Sequence, residues 1–166
     1  MSTDAARFER YLDDIRVAPL RPYVLYNTWY DVRSPEYTDR DYDVMNTRNL
    51  KRIIDDFGDV MKAHPDFRLD TFVLDDGWFG SRRDDSRGLG DWWVSPDVYP
   101  DGLGWLVDHV QGLGMEFGIW VEPEMVNPDS DLYRAHPDWV LATEGYEPLL
   151  GRNQLVLDLA RQAAFD

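Results

Sequence analysis

Two adjacent aspartates interrupt an apolar run and are followed almost at once by an indole. The stretch FVLDDGWFG places Asp75 and Asp76 directly after three apolar residues, with Trp78 two positions later. Neighbouring side chains in a strand point to opposite faces, so the two carboxylates cannot both lie in an apolar core. The motif predicts one of two structures. Either the carboxylates bind the hydroxyls of a polyhydroxylated ligand beside an aromatic wall, or an aspartate caps the next helix and the tryptophan joins the core.

The stretch WVEPEM offers a second pair of carboxylates. Glu122 and Glu124 are two residues apart and would share a face if the strand continued that far. Paired carboxylates perform general acid/base chemistry on glycosidic bonds. The alternative is a strand end with solvated acids and a turn at Pro123. The separation of the carboxylates, which sequence does not supply, decides between these hypotheses.

Arg152 lies in the stretch GRNQ, after a glycine. Its five donors can reach a ligand hydroxyl or hold an acidic neighbour, and an ion pair is the more common outcome in so acidic a chain. The three histidines, His64, His109 and His136, show no metal-binding spacing, and we expect them to be surface or capping residues.

Helical and strand-like segments alternate along the chain. Helical spacing covers residues 6–16, 43–63, 103–113 and 129–141, and apolar strand-like runs cover 22–29, 68–76, 117–125 and 153–160. A long loop rich in Gly, Asp and Trp covers 80–102, a length that favours a functional segment. Alternation of this kind, without hairpin turns, predicts an α/β fold in which crossover helices join parallel strands.

Polar residues fall at the end of each predicted strand. Asn27, Asp75, Glu122 and Asp158 each lie at or just after the carboxyl end of a strand-like run. In parallel α/β folds, ligand sites gather at that edge of the sheet. The pattern therefore predicts one shared site built from several strands.

Composition restricts the classes of function. The chain has 166 residues, a hydrophobic fraction of 43% and a formal net charge of −15 (17 basic against 32 acidic residues). Such charge disfavours nucleic acid and anionic membranes as partners, and no apolar run approaches the roughly 20 residues of a membrane span. The absence of cysteine excludes disulfides and thiol nucleophiles. No signal peptide is visible, so we expect a cytoplasmic protein.

Three long stretches resemble glycoside hydrolase family 36, the microbial α-galactosidases. They are FVLDDGWFG, the segment from GLGDWWVSPD to AHPDWVL, and LGRNQLVLDL, and the resemblance covers roughly residues 23–160. It implies a retaining glycosidase that cleaves terminal α-linked galactose from oligosaccharides such as raffinose or melibiose. It also implies a catalytic (β/α)8 (TIM) barrel, of which residues 1–166 would be the N-terminal portion, about strands one to four with their helices. No cofactor is implied, and we expect the full-length enzyme to be a homo-oligomer.

The resemblance also assigns residues. Asp75 and Asp76 match the family pair that holds galactose hydroxyls, chiefly those at C4 and C6. Trp120 matches an active-site tryptophan and Arg152 matches the arginine of GRNQ. The last two assignments are Trp29, after the first strand, and Trp78, which we expect to pack beside the acids.

One departure from the family pattern concerns catalysis. The family nucleophile is the aspartate of a K-W-D motif, and the acid/base aspartate comes later still, but no KWD occurs in this chain. The resemblance places Glu122 and Glu124 at the rim of the third strand and not in the nucleophile role. We therefore expect both catalytic carboxyl groups to belong to sequence after Asp166, with no catalytic residue among residues 1–166.

This fragment is accordingly expected to be inactive alone. The alternatives are a non-catalytic galactose-binding half-barrel that needs a partner chain, or an enzyme of the same family acting on α-N-acetylgalactosaminides.

Overall fold

The computed structural model describes residues 3–19, 21–32, 45–80, 88–141 and 152–165. The helices are α1 (Thr3–Ile15), α2 (Thr47–Ala63), α3 (Gly104–Gly112), α4 (Asp131–Ala135) and α5 (Gln162–Phe165). The strands are β1 (Leu25–Asn27), β2 (Thr71–Leu74), β3 (Glu116–Ile119), β4 (Met125–Val126) and β5 (Leu155–Val156). Two 3-10 turns, Thr28–Tyr30 and Pro137–Trp139, follow β1 and α4.

The first three strands form a parallel sheet in the order β1-β2-β3. Asn27 pairs with Val73, and Leu74 pairs with Ile119, so the three carboxyl ends lie side by side. Helix α2 connects β1 to β2 and helix α3 connects β2 to β3. The predicted alternation of parallel strands and crossover helices is confirmed for this part of the chain.

The core lies between the sheet and helices α2 and α3. Leu50 and Ile54 of α2 and Leu106 and Val110 of α3 are fully buried, as is Phe72 of the central strand. Burial of such side chains contributes about 1.5–3 kcal/mol each. Because both helices lie on this sheet, the sequence needed an apolar stripe on each of them and an apolar central strand.

Helix α2 begins at a side-chain cap. Asn46 accepts a hydrogen bond from the Asn49 backbone N–H at 3.0 Å, which satisfies one of the donors left unpaired at a helix start. The helix ends before His64, which precedes a proline. The helix predicted over 43–63 is thus observed from residue 47, and residues 43 and 44 lie outside the described residues.

The prediction of a fourth parallel strand is wrong. Strand β5 pairs antiparallel with β4, with Val126 opposite Leu155, and not with the parallel sheet. The other edge of β5 is also hydrogen-bonded, because the Leu141 N–H donates to the Val156 carbonyl at 2.8 Å. An apolar run predicts a buried strand, but it does not specify its partner or direction.

Asp158 consequently lies away from the carboxyl edge of the parallel sheet. Its carboxylate lies 3.5 Å from Arg161 Nε and accepts a hydrogen bond from the Ala160 N–H. Of the four strand-end residues that we predicted to share a site, Asp158 is therefore excluded.

Two helices differ from their predicted form. Helix α1 occupies nearly the predicted residues, but none of its side chains is buried, and its apolar face, with Phe8, Tyr11 and Ile15, is exposed. Helix α4 covers only the first part of 129–141, beginning after the Ser130 cap and ending before Pro137. Among the described residues, no helix has the length and hydrophobicity required to cross a membrane.

We predict that the two outer strands promote self-association. In the described residues β1 and β3 each pair on one side only, and Leu25 and Ile119 are exposed there. Unpaired backbone groups at an apolar edge are templates for another chain. Sedimentation velocity over a concentration series should show association, and Leu25→Lys or Ile119→Lys should weaken it.

Val17→Lys is the control, because it adds the same charge at a fully exposed position outside the sheet. A wild-type chain that stays monomeric and melts in one sharp transition would contradict this prediction.

Candidate functional site

A cavity of about 370 Å³ opens at the carboxyl ends of β1 and β2. Its size is within the usual range for small-ligand sites, about 300–1,000 Å³. The residues that line it are Asn27, Trp29, Tyr30, Asp75, Asp76, Trp120 and Arg152. Five of the six site residues predicted from sequence therefore meet in one cavity, and Trp78 is the exception.

Asp75 is held in one orientation by β1 and its turn. The Asp75 backbone N–H donates to Thr28 Oγ1 at 2.9 Å, and Asn27 Nδ2 donates to Asp75 Oδ2 at 2.7 Å. The other oxygen, Oδ1, accepts from the Asp76 backbone N–H at 2.8 Å. A carboxylate has about four acceptor positions. Asp75 therefore keeps acceptor capacity for ligand hydroxyls while its position is fixed.

Arg152 connects Asp76 to Glu122. Arg152 Nη2 lies 2.8 Å from Asp76 Oδ2, and Nη1 lies 3.2 Å from Glu122 Oε2. Gln154 Nε2 donates to the other Glu122 oxygen at 3.2 Å. Asp76 is buried, and a buried carboxylate is stable in its charged form only with such a partner. The ion pair offered above as one outcome for Arg152 is present, and the same side chain also lines the cavity.

Glu122 is a carboxyl group that is harder to ionise than usual. Burial raises its pKa, Glu124 and Asp76 raise it further through like charge, and Arg152 opposes them. Neither Glu122 nor Glu124 is among the residues that line the cavity. Because both Glu122 oxygens already accept hydrogen bonds, its contacts are those of a residue that orients Arg152 and Gln154.

The carboxyl groups that would break the glycosidic bond are expected after Asp166, and this expectation stays a prediction. Asp166 itself lies outside the described residues. The carboxylates that line the cavity are Asp75 and Asp76, and both already bind other groups of the site. Their contacts suit the recognition of hydroxyl groups.

Trp120 forms an aromatic side of the cavity, just after β3. Its backbone N–H donates to the Leu74 carbonyl at 2.9 Å, which extends the parallel pairing by one residue. Its ring contacts Phe79 and Trp92, with centroids 6.1 and 6.2 Å apart, and the Arg152 guanidinium lies 5.8 Å from its centroid. These ring contacts fix an aromatic surface beside the two aspartates.

Trp78 supports this side of the cavity from behind. Its indole N–H donates to the Trp120 carbonyl at 2.9 Å, and its ring packs on Phe79 and Trp92. It is buried and does not line the cavity. The contacts of Trp78 hold Trp120, and its assignment to substrate binding stays a prediction.

The turn after β1 places two further aromatic residues at the cavity. Asn27 accepts a hydrogen bond from the Trp29 backbone N–H at 2.8 Å, so the same side chain caps this turn and holds Asp75. Tyr30, with 81% of its surface exposed, is at the mouth. Sequence analysis noted Asn27 as a polar strand end without assigning it a role, and it missed Tyr30 and Gln154. The sequence feature that could have identified Tyr30 is its position in the turn that follows β1.

Known proteins resemble the chain over most of its length. A family model described as Melibiase matches residues 18–166. An α-galactosidase of Escherichia coli is 56% identical over 98 residues, which are 59% of this chain and 14% of that protein.

Two solved structures of variants of the GH36 α-galactosidase AgaA from Geobacillus stearothermophilus are also similar. The variant in complex with stachyose has a TM-score of 0.66 and 39% identity, covering 92% of this chain and 18% of that chain. The variant in complex with raffinose has a TM-score of 0.65 and 38% identity, covering 93% of this chain and 20% of that chain.

The chain spans no more than a fifth of the length of these relatives. The family match nevertheless includes all three strands of the parallel sheet and every residue that lines the cavity. This chain belongs to the melibiase family.

Proposed function

We propose that this chain supplies the galactose-recognition part of an α-galactosidase active site. The observation that carries the proposal is the fixed pair of Asp75 and Asp76 in a cavity that also holds Trp120 and Arg152. Carboxylates accept charge-assisted bonds from vicinal hydroxyls, and the indole covers the apolar face of a pyranose. The chemistry of this lining suits a neutral hexose.

The substrate class in this proposal is an oligosaccharide with a terminal α-linked galactose. Stachyose and raffinose, both bound by AgaA variants, are sugars of this class. Asp75 and Asp76 are assigned to the hydroxyls at C4 and C6. The configuration at C4 distinguishes galactose from glucose, so these carboxylates provide the specificity.

The proposal extends to the fold of the complete enzyme. The three parallel strands, their crossover helices and a site at the carboxyl edge are features of a (β/α)8 barrel, and we assign them to its first strands. β1 and β3 would each pair with the rest of the barrel.

Cleavage is assigned to residues outside this chain, in sequence that would follow Asp166. A retaining glycosidase needs two carboxyl groups about 5–5.5 Å apart on either side of the bond. Asp75 and Asp76 are both held by other groups of the site, and the family K-W-D motif is absent from the sequence. A non-catalytic half-barrel that acts with a partner chain is the second candidate, and the apolar edges of β1 and β3 favour it.

The first prediction from this proposal concerns binding. The chain should bind galactose in preference to glucose, and Asp75→Asn should weaken galactose binding about tenfold, because a charge-assisted hydrogen bond becomes a neutral one. Isothermal titration or ligand-observed NMR measures both effects.

Asp108→Asn is the matched control, since Asp108 is an exposed aspartate of α3 remote from the cavity lining. Equal affinity for galactose and glucose would contradict the assignment of the aspartates to C4, and the absence of binding would contradict the proposed function.

The second prediction concerns turnover. The purified 166-residue chain should release no nitrophenol from an aryl α-galactoside above the blank rate, because the proposal assigns the nucleophile and the acid/base group to residues outside this chain. Turnover that disappears in Asp75→Ala would contradict it. Turnover that appears only when a polypeptide carrying the K-W-D motif is added would favour the partner-chain candidate.

A further inference from the structure

We infer that Asn127 is a positioning residue for the galactose site and that it acts by holding the backbone of Arg152 and Asn153. The inference rests on the proposed function only where Arg152 is said to bind the sugar. Neither the sequence motifs nor the cavity lining pointed to Asn127, which follows β4 at some distance along the chain from both aspartates.

Asn127 uses all of its side-chain donors on one turn. Its Nδ2 donates to the Arg152 carbonyl at 2.7 Å and to the Asn153 carbonyl at 3.0 Å. Its Oδ1 accepts from the Leu89 N–H at 2.8 Å, and its own N–H donates to the Leu89 carbonyl at 2.9 Å. With 0% exposure, the side chain has no access to water that could replace these bonds.

The turn that Asn127 holds has an uncommon backbone conformation. Asn153 has a φ of 51°, and it is the only residue other than glycine with a positive φ in the part of the chain that the structure describes. Residues other than glycine adopt that left-handed conformation rarely, asparagine more readily than most, and it persists where surrounding contacts determine it. Two successive carbonyls that converge on one amide nitrogen are such a contact.

The same turn sets the direction of two functional side chains. Arg152 on one side of Asn153 reaches Asp76 and Glu122, and Gln154 on the other side reaches Glu122. Arg152 Nε is buried and has no hydrogen-bond partner among the described residues, where the two terminal nitrogens supply the contacts of the guanidinium. A shift of the backbone at residue 152 would therefore change which carboxylate the guanidinium meets.

Asparagine is the side chain that this position requires. Alanine would leave the Leu89 N–H and the two carbonyls without this partner in a buried place. Aspartate has the same shape and keeps the acceptor for Leu89, but it lacks both donors and would place negative charge against two carbonyl oxygens. The two substitutions thus separate the loss of donors from the creation of a cavity.

The test compares Asn127→Ala and Asn127→Asp with Arg152→Ala, using the full chain. The first readout is the pKa of the Glu122 carboxyl group, measured from the pH dependence of its carboxyl-carbon NMR signal. This measurement needs no ligand. Arg152 lowers this pKa, while burial and the charges of Asp76 and Glu124 raise it. Displacement of Arg152 should therefore raise the pKa of Glu122 in both Asn127 variants.

The second readout is the affinity for galactose, which should fall about tenfold in both Asn127 variants.

A double variant decides whether Asn127 acts through Arg152. In an Arg152→Ala background, Asn127→Ala should not reduce the galactose affinity any further, because the residue that it positions in the cavity is gone. Additive effects would overturn the inference.

Ser130→Ala is the matched control. Ser130 is buried three residues away and caps α4 by accepting the Tyr133 N–H at 3.0 Å. Its backbone N–H donates to the Asn127 carbonyl at 3.0 Å, a bond that Ser130→Ala keeps. Its loss should lower the melting temperature and leave both readouts unchanged. If Asn127→Ala and Asn127→Asp also lower only the melting temperature, Asn127 is a structural residue and the inference is wrong. If one of the two does not fold, the other decides.

Failure of the proposed function gives a different result. A wild-type chain that does not bind galactose contradicts that proposal, whereas the titration of Glu122 still decides whether Asn127 positions Arg152.

Discussion

Arg152 places one guanidinium between the carboxylates of Asp76 and Glu122, and this contact joins three segments that are far apart in the sequence. The chain carries 32 acidic residues, and several of them meet at the carboxyl edge of the sheet. Burial of Asp76 without a cation would cost several kcal/mol, because a charged group loses its water. Arg152 supplies the compensating charge where the ends of β2 and β3 bring Asp76 and Glu122 together.

Around this ion pair the site is rigid for identifiable reasons. Asn27 and Thr28 fix Asp75 from the end of β1, and Trp78 fixes Trp120 through its carbonyl. The aromatic cluster of Phe79, Trp92 and Trp120 then fills the space behind the cavity. A ligand that enters such a site meets acceptors that are already in place, so little side-chain entropy is lost on binding.

The parallel sheet explains why recognition and cleavage can be separated in the proposal. Each strand contributes its own polar residues at the carboxyl edge, and the loops after different strands carry different parts of the chemistry. In the proposal, the ends of β1, β2 and β3 provide the hydroxyl acceptors and the aromatic wall, and the nucleophile is assigned to a different strand. In the part of the chain that the structure describes, β1 and β3 each pair on one side only, and the proposal assigns their other sides to further strands.

The sequence by itself determined the parallel α/β pattern and most of the cavity. An apolar run that ends in polar residues predicted where Asp75 would be found, because hydrophobic periodicity is a local property of the chain. The family resemblance assigned Trp120 and Arg152 to the same site. Tertiary structure decided the rest. The pairing of β5 with β4 separated Asp158 from the parallel sheet, and Trp78 donates its indole N–H to the Trp120 carbonyl without lining the cavity. It also brought Asn127 to the Arg152 turn. Each of these outcomes depends on which segment supplies the hydrogen-bond partner. Local hydrophobic periodicity does not predict that partner when it is distant in the chain.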